Sequence, residues 1–161
     1  MAIFRRGGLP DGMTPPPNER VLAWAMGPLG VVFATDVALH VPAALQPDRV
    51  VWHLIDKAGW RDPNLEVSLH PSVGAPLMHW KIELSEPGKL PQVVRERVTA
   101  SVVVSSDIDL PDGQARIAAR RTETDDIRWS VTPLAGADLG NAENRAIVAA
   151  AVRELGESLG L

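Results

Sequence analysis

The chain has 161 residues, a formal net charge of −4 at pH 7 and no cysteine. A chain of this length can bury a real hydrophobic core without covalent cross-links, and the absence of cysteine excludes disulfides and sulfur-ligated zinc sites. The negative charge argues against general binding to nucleic acid, which depends on Lys and Arg neutralising phosphates.

Residues 1–17 combine paired glycines, paired arginines and a proline triplet, without helical or alternating periodicity. This composition predicts a flexible N-terminal arm, followed by a single globular domain over residues 18–161. Arg5 and Arg6 are not followed by an apolar run, which argues against an export signal. No run approaches the roughly 20 apolar residues that span a membrane. Together with the missing cysteines, which suit a reducing compartment, these features predict a cytoplasmic location.

Residues 19–60 contain short apolar runs separated by Gly, Pro and Asp, a pattern that predicts an antiparallel meander of four strands. The last run, Arg49–Ile55, is apolar at consecutive positions, as in a strand covered on both faces, so we expect one continuous strand with Trp52 in the core. Strict alternation over residues 65–70 and 78–84 then predicts strands five and six, each with one buried face.

The second half of the chain predicts two helices and a hairpin. Valines at helical spacing indicate a short helix near residues 91–101, and the Val-rich stretch 101–110 is consistent with helix or strand, with a change to extended structure favoured near Val102. Residues 114–132 predict a hairpin whose turn lies at 122–126. An amphipathic C-terminal helix capped by Asn141 and ended by Gly160 should then dock on the sheets.

The hairpin carries Arg116, Arg120 and Arg128 on one predicted face, where neighbouring strands bring side chains within roughly 5 Å. Like charges so close repel unless carboxylates or a bound anion compensate. Two interpretations follow, namely an internal salt-bridge network and a site for an anionic partner. Four nearby acids could supply the internal partners. They are Glu96, Glu123, Asp125 and Asp126. Trp60, beside a turn, is the best candidate for an aromatic contact with a partner.

Familiar catalytic and metal-binding patterns are absent from the sequence: there is no G-x-S-x-G, no phosphate-binding glycine loop and no H-E-x-x-H. The four histidines are scattered one per predicted strand, which argues against a metal site. The acidic run 107–113 differs from a calcium-binding loop in its spacing and is interpreted as a turn between strands. We therefore expect no metal, no cofactor and no catalytic residue.

Glu19, Val21 and Leu22, with residues 34–42 and 49–60, resemble the opening pattern of bacterial PH-like domains. The resemblance implies an α+β fold in which two antiparallel sheets form a sandwich or open barrel closed by the C-terminal helix. Lipid-binding members of that family use basic residues around the first strand-to-strand loop. The corresponding loop here, residues 26–30, has no cation, so phosphoinositide binding is not expected.

Residues 93–105 and the basic hairpin resemble a group of small uncharacterised proteins of GC-rich bacteria. Two functions stay open. The favoured one is a non-enzymatic interaction module that presents the basic hairpin or an exposed sheet edge to a protein partner or to another copy of itself. The alternative is a small-ligand binder or an enzyme whose pocket opens between the sheets near His53, Asp56 and Trp60. The module is favoured because an enzyme usually leaves clustered titratable residues.

Overall fold

The computed structural model describes residues 8–161, and its backbone divides into two compact units, of which the first ends at Ser101 and the second is Val102–Leu161. All strands pair antiparallel and two α-helices accompany them, which confirms the predicted α+β class. The prediction for the arm falls partly outside the described residues. Residues 8–17 contain turns but no helix or strand, while the flexibility of the arm and the single domain over 18–161 stay predictions.

Over residues 8–101, the first unit contains seven strands, one 3₁₀ turn and one α-helix. Their bounds are β1 Val21–Gly27, β2 Gly30–Thr35, β3 Ala38–His40, β4 Arg49–Val51, the 3₁₀ turn Trp52–Leu54, β5 Ile55–Arg61, β6 Asn64–Leu69, β7 Met78–Glu83 and α1 Leu90–Ser101. Strands β1 to β4 form one sheet in sequence order, and β5 to β7 form a second. The four-strand meander and the helix near 91–101 are thereby confirmed.

The predicted strand Arg49–Ile55 is wrong, because the 3₁₀ turn Trp52–Leu54 interrupts it. The indole Nε1 of Trp52 donates to the carbonyl oxygen of Thr35 at 3.0 Å, and its ring lies buried in the core. This anchored residue turns the chain out of the first sheet and into the second. A continuous apolar run gives the same pattern for a buried strand and for such a buried turn.

The core of the first unit is built from the inward positions of both sheets and from α1. Leu65, Val67 and Leu69 of β6 are almost fully buried. They lie opposite Ile82, Trp80 and Met78 of β7, respectively, so the predicted alternation is confirmed. Leu90, Val94 and Val98 place the buried stripe of α1 in the same core. Gly27 ends β1 where the backbone carbonyl of Glu83 lies directly against its Cα.

The second unit contains three strands and one helix, β8 Val102–Leu110, β9 Gly113–Arg121, β10 Ile127–Leu134 and α2 Ala142–Leu159. The strand order is β10-β9-β8. Val102 begins β8, which confirms the change from helix to strand at that residue. The hairpin of β9 and β10 is also confirmed, with its turn between Arg121 and Ile127.

Helix α2 begins and ends as its sequence predicts. The side chain of Asn141 accepts hydrogen bonds from the backbone N–H groups of Glu143 and Asn144, and Gly160 adopts φ 71° in the left-handed region after the last turn. The helix packs on β8 and β9. Its docking on a sheet is therefore confirmed.

The described residues form three sheets, whereas the PH-like resemblance implies two, and none of the three closes into a barrel. No helix within residues 8–161 is long and apolar enough to cross a membrane.

Candidate interaction surface of the second unit

The strand register places the predicted basic residues on one face of the three-stranded sheet. Arg116 and Arg120 lie on β9, and Arg128 of β10 lies directly opposite Arg120. The opposite face of the sheet is turned towards α2. Trp129 of β10 pairs with Ala119 of β9, and the Trp129 ring lies 3.7 Å from the position that a Cβ on Gly156 of α2 would occupy. The arginines therefore occupy the face turned away from α2.

Arg116 has an internal partner that was not among the four predicted acids. Its Nε donates to Oδ1 of Asp107 at 2.9 Å and its second nitrogen donates to Oδ2 at 3.4 Å. Asp107 of β8 lies directly opposite Arg116 in the register. The two side chains are 38% and 46% exposed, so solvent screens the pair and its stabilisation is small. It fixes the orientation of the guanidinium rather than the fold.

The other two arginines differ sharply in exposure. Arg120 is only 5% exposed and takes part in interactions within the protein, whereas Arg128 is exposed. The register therefore confirms that the three residues share a face, but they do not present three equally accessible cations. Their role in binding a partner stays a prediction.

Trp60 lies on β5 of the first unit, where it pairs with Leu65 and packs partly buried against the core. The residues of the alternative ligand site are also engaged within the protein. His53 lies in the 3₁₀ turn, which corrects its predicted place in a strand, and Asp56 lies on β5. Both residues make interactions within the protein. Within residues 8–161, no three His, Asp or Glu side chains are grouped closely enough to hold a metal ion.

Strand β8 presents an open edge that sequence reasoning did not locate. The sheet order gives it one hydrogen-bonded neighbour, β9, so among the described residues its other side has no strand partner. The strand is nine residues long and contains no Gly, Pro, Lys or Arg. Exposure alternates along the strand. The odd-numbered residues from Val103 to Asp109 are exposed, and the even-numbered residues from Val102 to Ile108 are partly buried.

A partly exposed apolar surface lies beside this edge. Val104 and Ile108 of β8 stand on the face of the sheet that carries α2, and both remain partly exposed. The apolar stripe of α2 is likewise incompletely buried. Leu159 is exposed, and the partly buried members are Val148, Ala151, Val152 and Leu155. The residues of α2 that are fully buried are instead Asn144 and Gly156. The sheet and the helix therefore leave apolar area uncovered next to the β8 edge.

The start of α2 is tied to the turn between β8 and β9. Asp112 accepts a hydrogen bond from the backbone N–H of Asp138 at 3.0 Å and another from Nδ2 of Asn144 at 2.8 Å. These two bonds hold the pKa of the Asp112 carboxyl below its usual value of 3.8. Nδ2 of Asn144 also donates to the carbonyl oxygen of Asp138. The anchor fixes the helix over the edge strand.

The acidic run 107–113 is thereby explained by three separate structural contacts. Asp107 pairs with Arg116, Asp109 accepts from Nε2 of Gln114 at 3.0 Å, and Asp112 forms the anchor. Asp107 and Asp109 lie within β8, so the predicted turn covers only the end of the run. Asp107 and Asp109 lie on the face of β8 turned away from α2, where Arg116 compensates the charge of Asp107.

A second titratable cluster lies in the first unit around Glu19, whose side chain is 8% exposed. It accepts from Oγ1 of Thr35 at 2.7 Å and lies 2.9 Å from Nε2 of His40, and the His40 ring stacks on Phe33. Burial opposes ionisation, but the two hydrogen bonds and the charges of His40 and Arg49 outweigh it and lower the pKa of Glu19 below 4.5. The cluster fastens the chain before β1 to β2 and β3.

Comparison with protein-family models, with curated proteins and with solved structures finds no match to this chain.

Proposed function

We propose that the chain is a non-enzymatic interaction module that binds a protein partner by strand addition at the edge of β8. The observation that carries this proposal is a nine-residue edge strand with no partner among the described residues, flanked by partly exposed apolar side chains. In strand addition the main-chain groups supply affinity and the alternating side chains supply specificity. Both requirements are met along β8.

The other edge of the same sheet carries protection that β8 lacks. Pro133 lies in β10 and cannot donate a ladder hydrogen bond. Natural proteins blunt edges that must stay single with proline, lysine or short strands. Strand β8 has no proline or lysine and is long. Its protection is limited to the charges of Asp107 and Asp109 and to a shift of register between Val102 and Val104. The regular part from Val104 to Leu110 is therefore the surface offered to a partner.

The two faces of β8 define the chemistry of the partner strand. Val104 and Ile108 on the helix face favour apolar residues opposite them, and burial of each such side chain contributes roughly 1.5 to 3 kcal/mol. Asp107 and Asp109 on the other face disfavour acids directly opposite them. A partner strand should therefore alternate apolar residues with neutral or basic ones.

The two carboxyl groups with lowered pKa have structural explanations. Glu19 and Asp112 are both held by hydrogen bonds that anchor backbone segments, which accounts for their shifts without a reaction. The PH-like resemblance, the cytoplasmic location and a contribution of Arg128 to partner binding stay predictions.

A charge placed at the edge tests the proposal. Val104→Lys puts an ammonium among the apolar residues beside β8, a device that blocks strand addition. The matched control is Val131→Lys, on the same face of the sheet but at the β10 edge, and Val131 is also partly buried. Peptides selected from a random display library against the full chain should lose binding to Val104→Lys and keep binding to Val131→Lys.

Two results would contradict the proposal. One is that selected peptides bind Val104→Lys as tightly as the unchanged chain. The other is that both variants lose binding equally while circular dichroism shows that both remain folded, because the effect would then be independent of the edge.

A further inference from the structure

We infer that the occupant of the β8 edge is a second copy of this chain, paired antiparallel about a two-fold axis that passes through Ser106. The inference rests on the proposed function, because it names the partner of that same edge. Its basis is that β8 is complementary to itself in one register. Ser106 is the midpoint of β8 Val102–Leu110, so residues 104–108 of the two copies pair in a regular register, and Asp109 and Leu110 lie opposite the irregular start of the other strand.

The pairs formed in this register are compatible on both faces of the sheet. On the helix face Val104 lies opposite Ile108 of the second copy, which joins two partly exposed apolar side chains. On the other face Ser105 lies opposite Asp107, and Asp109 lies opposite the irregular start of the other β8 at Val103, so no acid lies directly opposite an acid. Apolar cross-strand pairs stabilise a sheet and like charges directly opposite destabilise it.

The neighbouring registers are worse for physical reasons. An axis through Asp107 places its carboxylate directly opposite that of the second copy, and Ser105 opposite Asp109. An axis through Ser105 leaves Asp109 and Leu110 beyond the end of the other β8. Registers that place an odd-numbered residue opposite an even-numbered one turn the helix face of one copy against the acidic face of the other.

The position of α2 fits the same arrangement. A two-fold axis perpendicular to the sheet keeps both α2 helices on one face of a six-stranded sheet. Since α2 packs on β8 and β9, each α2 contacts the strand that lies next to the axis. Their partly exposed stripes can thereby cover one another.

The absence of cysteine from the chain allows a sharp test of the register. Residues directly opposite in an antiparallel pair have Cα atoms roughly 4.5 to 5.5 Å apart, which suits a disulfide. Ser106→Cys should therefore form a disulfide-linked dimer under mild oxidation. The matched control is Ser105→Cys, which is the same substitution one residue away at a more exposed position. Its two copies would be separated by two residues along the strand and should stay unlinked.

Sedimentation of the unchanged chain supplies the second measurement. We expect a mass twice that of the chain at rising concentration, and a dimer affinity weakened roughly 100-fold or more by Val104→Lys, because the change removes two symmetry-related apolar pairs. Val131→Lys should sediment as the unchanged chain does.

The inference is overturned by a chain that stays monomeric up to its solubility limit, or by Ser105→Cys that links as readily as Ser106→Cys. Its failure is distinguishable from failure of the proposed function. If the chain is a monomer but its selected peptides still depend on Val104, self-pairing is rejected and partner binding at the β8 edge is retained. If the peptides bind Val104→Lys equally well, binding at the β8 edge is itself rejected.

Discussion

Replacing Glu19 with alanine should destabilise the first unit and alter its response to acid. The carboxylate is 8% exposed and accepts from Thr35 at 2.7 Å and contacts His40 at 2.9 Å. The third contact, with Arg49 at 3.4 Å, adds little because the arginine side chain is 43% exposed and its charge is screened. The cost is therefore set by the two short hydrogen bonds.

The two bonds are lost with different consequences. The hydroxyl of Thr35 lies 3.2 Å from the carbonyl oxygen of Ala38 and can redirect its proton there. Nε2 of His40 belongs to a side chain that is 11% exposed, so its bond to a charged acceptor is the larger loss. Hydrogen bonds to charged groups contribute roughly 1.5 to 3 kcal/mol. We expect Glu19→Ala to lower the free energy of unfolding by about 2 to 3 kcal/mol at pH 7.

The effect should depend on pH with a defined sign. The folded pKa of Glu19 is lowered, so its contribution is fully present above the unfolded value near 4.5 and is lost as the pH falls through the folded pKa. The difference between the unchanged chain and Glu19→Ala should therefore shrink below pH 4.5.

Urea unfolding followed by tryptophan fluorescence measures this difference, since Trp52 is buried and its indole binds the carbonyl oxygen of Thr35. The control is Glu86→Ala, which removes an exposed carboxylate. The reasoning would be refuted by a difference below about 0.5 kcal/mol at pH 7, the size of an ordinary surface substitution. A difference that stays constant from pH 7 to pH 3 would refute the assignment of the lowered pKa.

Two further predictions concern a glycine packed against the backbone of a neighbouring strand and a buried asparagine side chain. Gly27→Ala should prevent folding of the first unit, because a Cβ there would collide with the carbonyl oxygen of Glu83. The control is Gly59→Ala, whose added Cβ meets open space, so this variant should have a melting temperature equal to or above that of the unchanged chain. Asn144→Ala should lower the melting temperature of the second unit by about 4 to 8 °C, measured by calorimetry, because it breaks the hydrogen bonds that tie α2 to Asp112 and the preceding loop.

Local patterns predicted the elements whose burial is one-sided. The alternation over β6 and β7 reflects a buried face that repeats every two residues, and the cap at Asn141 depends on groups two or three residues away. Trp52 shows where this reasoning fails. Its hydrogen bond to Thr35 spans 17 positions, and no local pattern distinguishes the resulting turn from a continuous strand.

The interaction surface was predictable only in part for the same reason. The sequence placed Arg116, Arg120 and Arg128 on one face, which depends only on parity and on the turn of the hairpin. It did not identify Asp107 as the partner of Arg116, because that contact requires the register of β8 against β9. It also did not assign β8 to an edge, since the order of strands in a sheet is a property of the whole fold.

The self-pairing proposed for β8 also accounts for why assembly would end at two copies. A two-fold contact uses the same edge of both chains, so the joined sheet is left with two copies of β10 as its edges. Each of those strands carries Pro133, which lacks the N–H group needed to continue the ladder. Within the sheet of the second unit, an open edge and a protected edge on opposite sides therefore favour a closed dimer over an extended fibre.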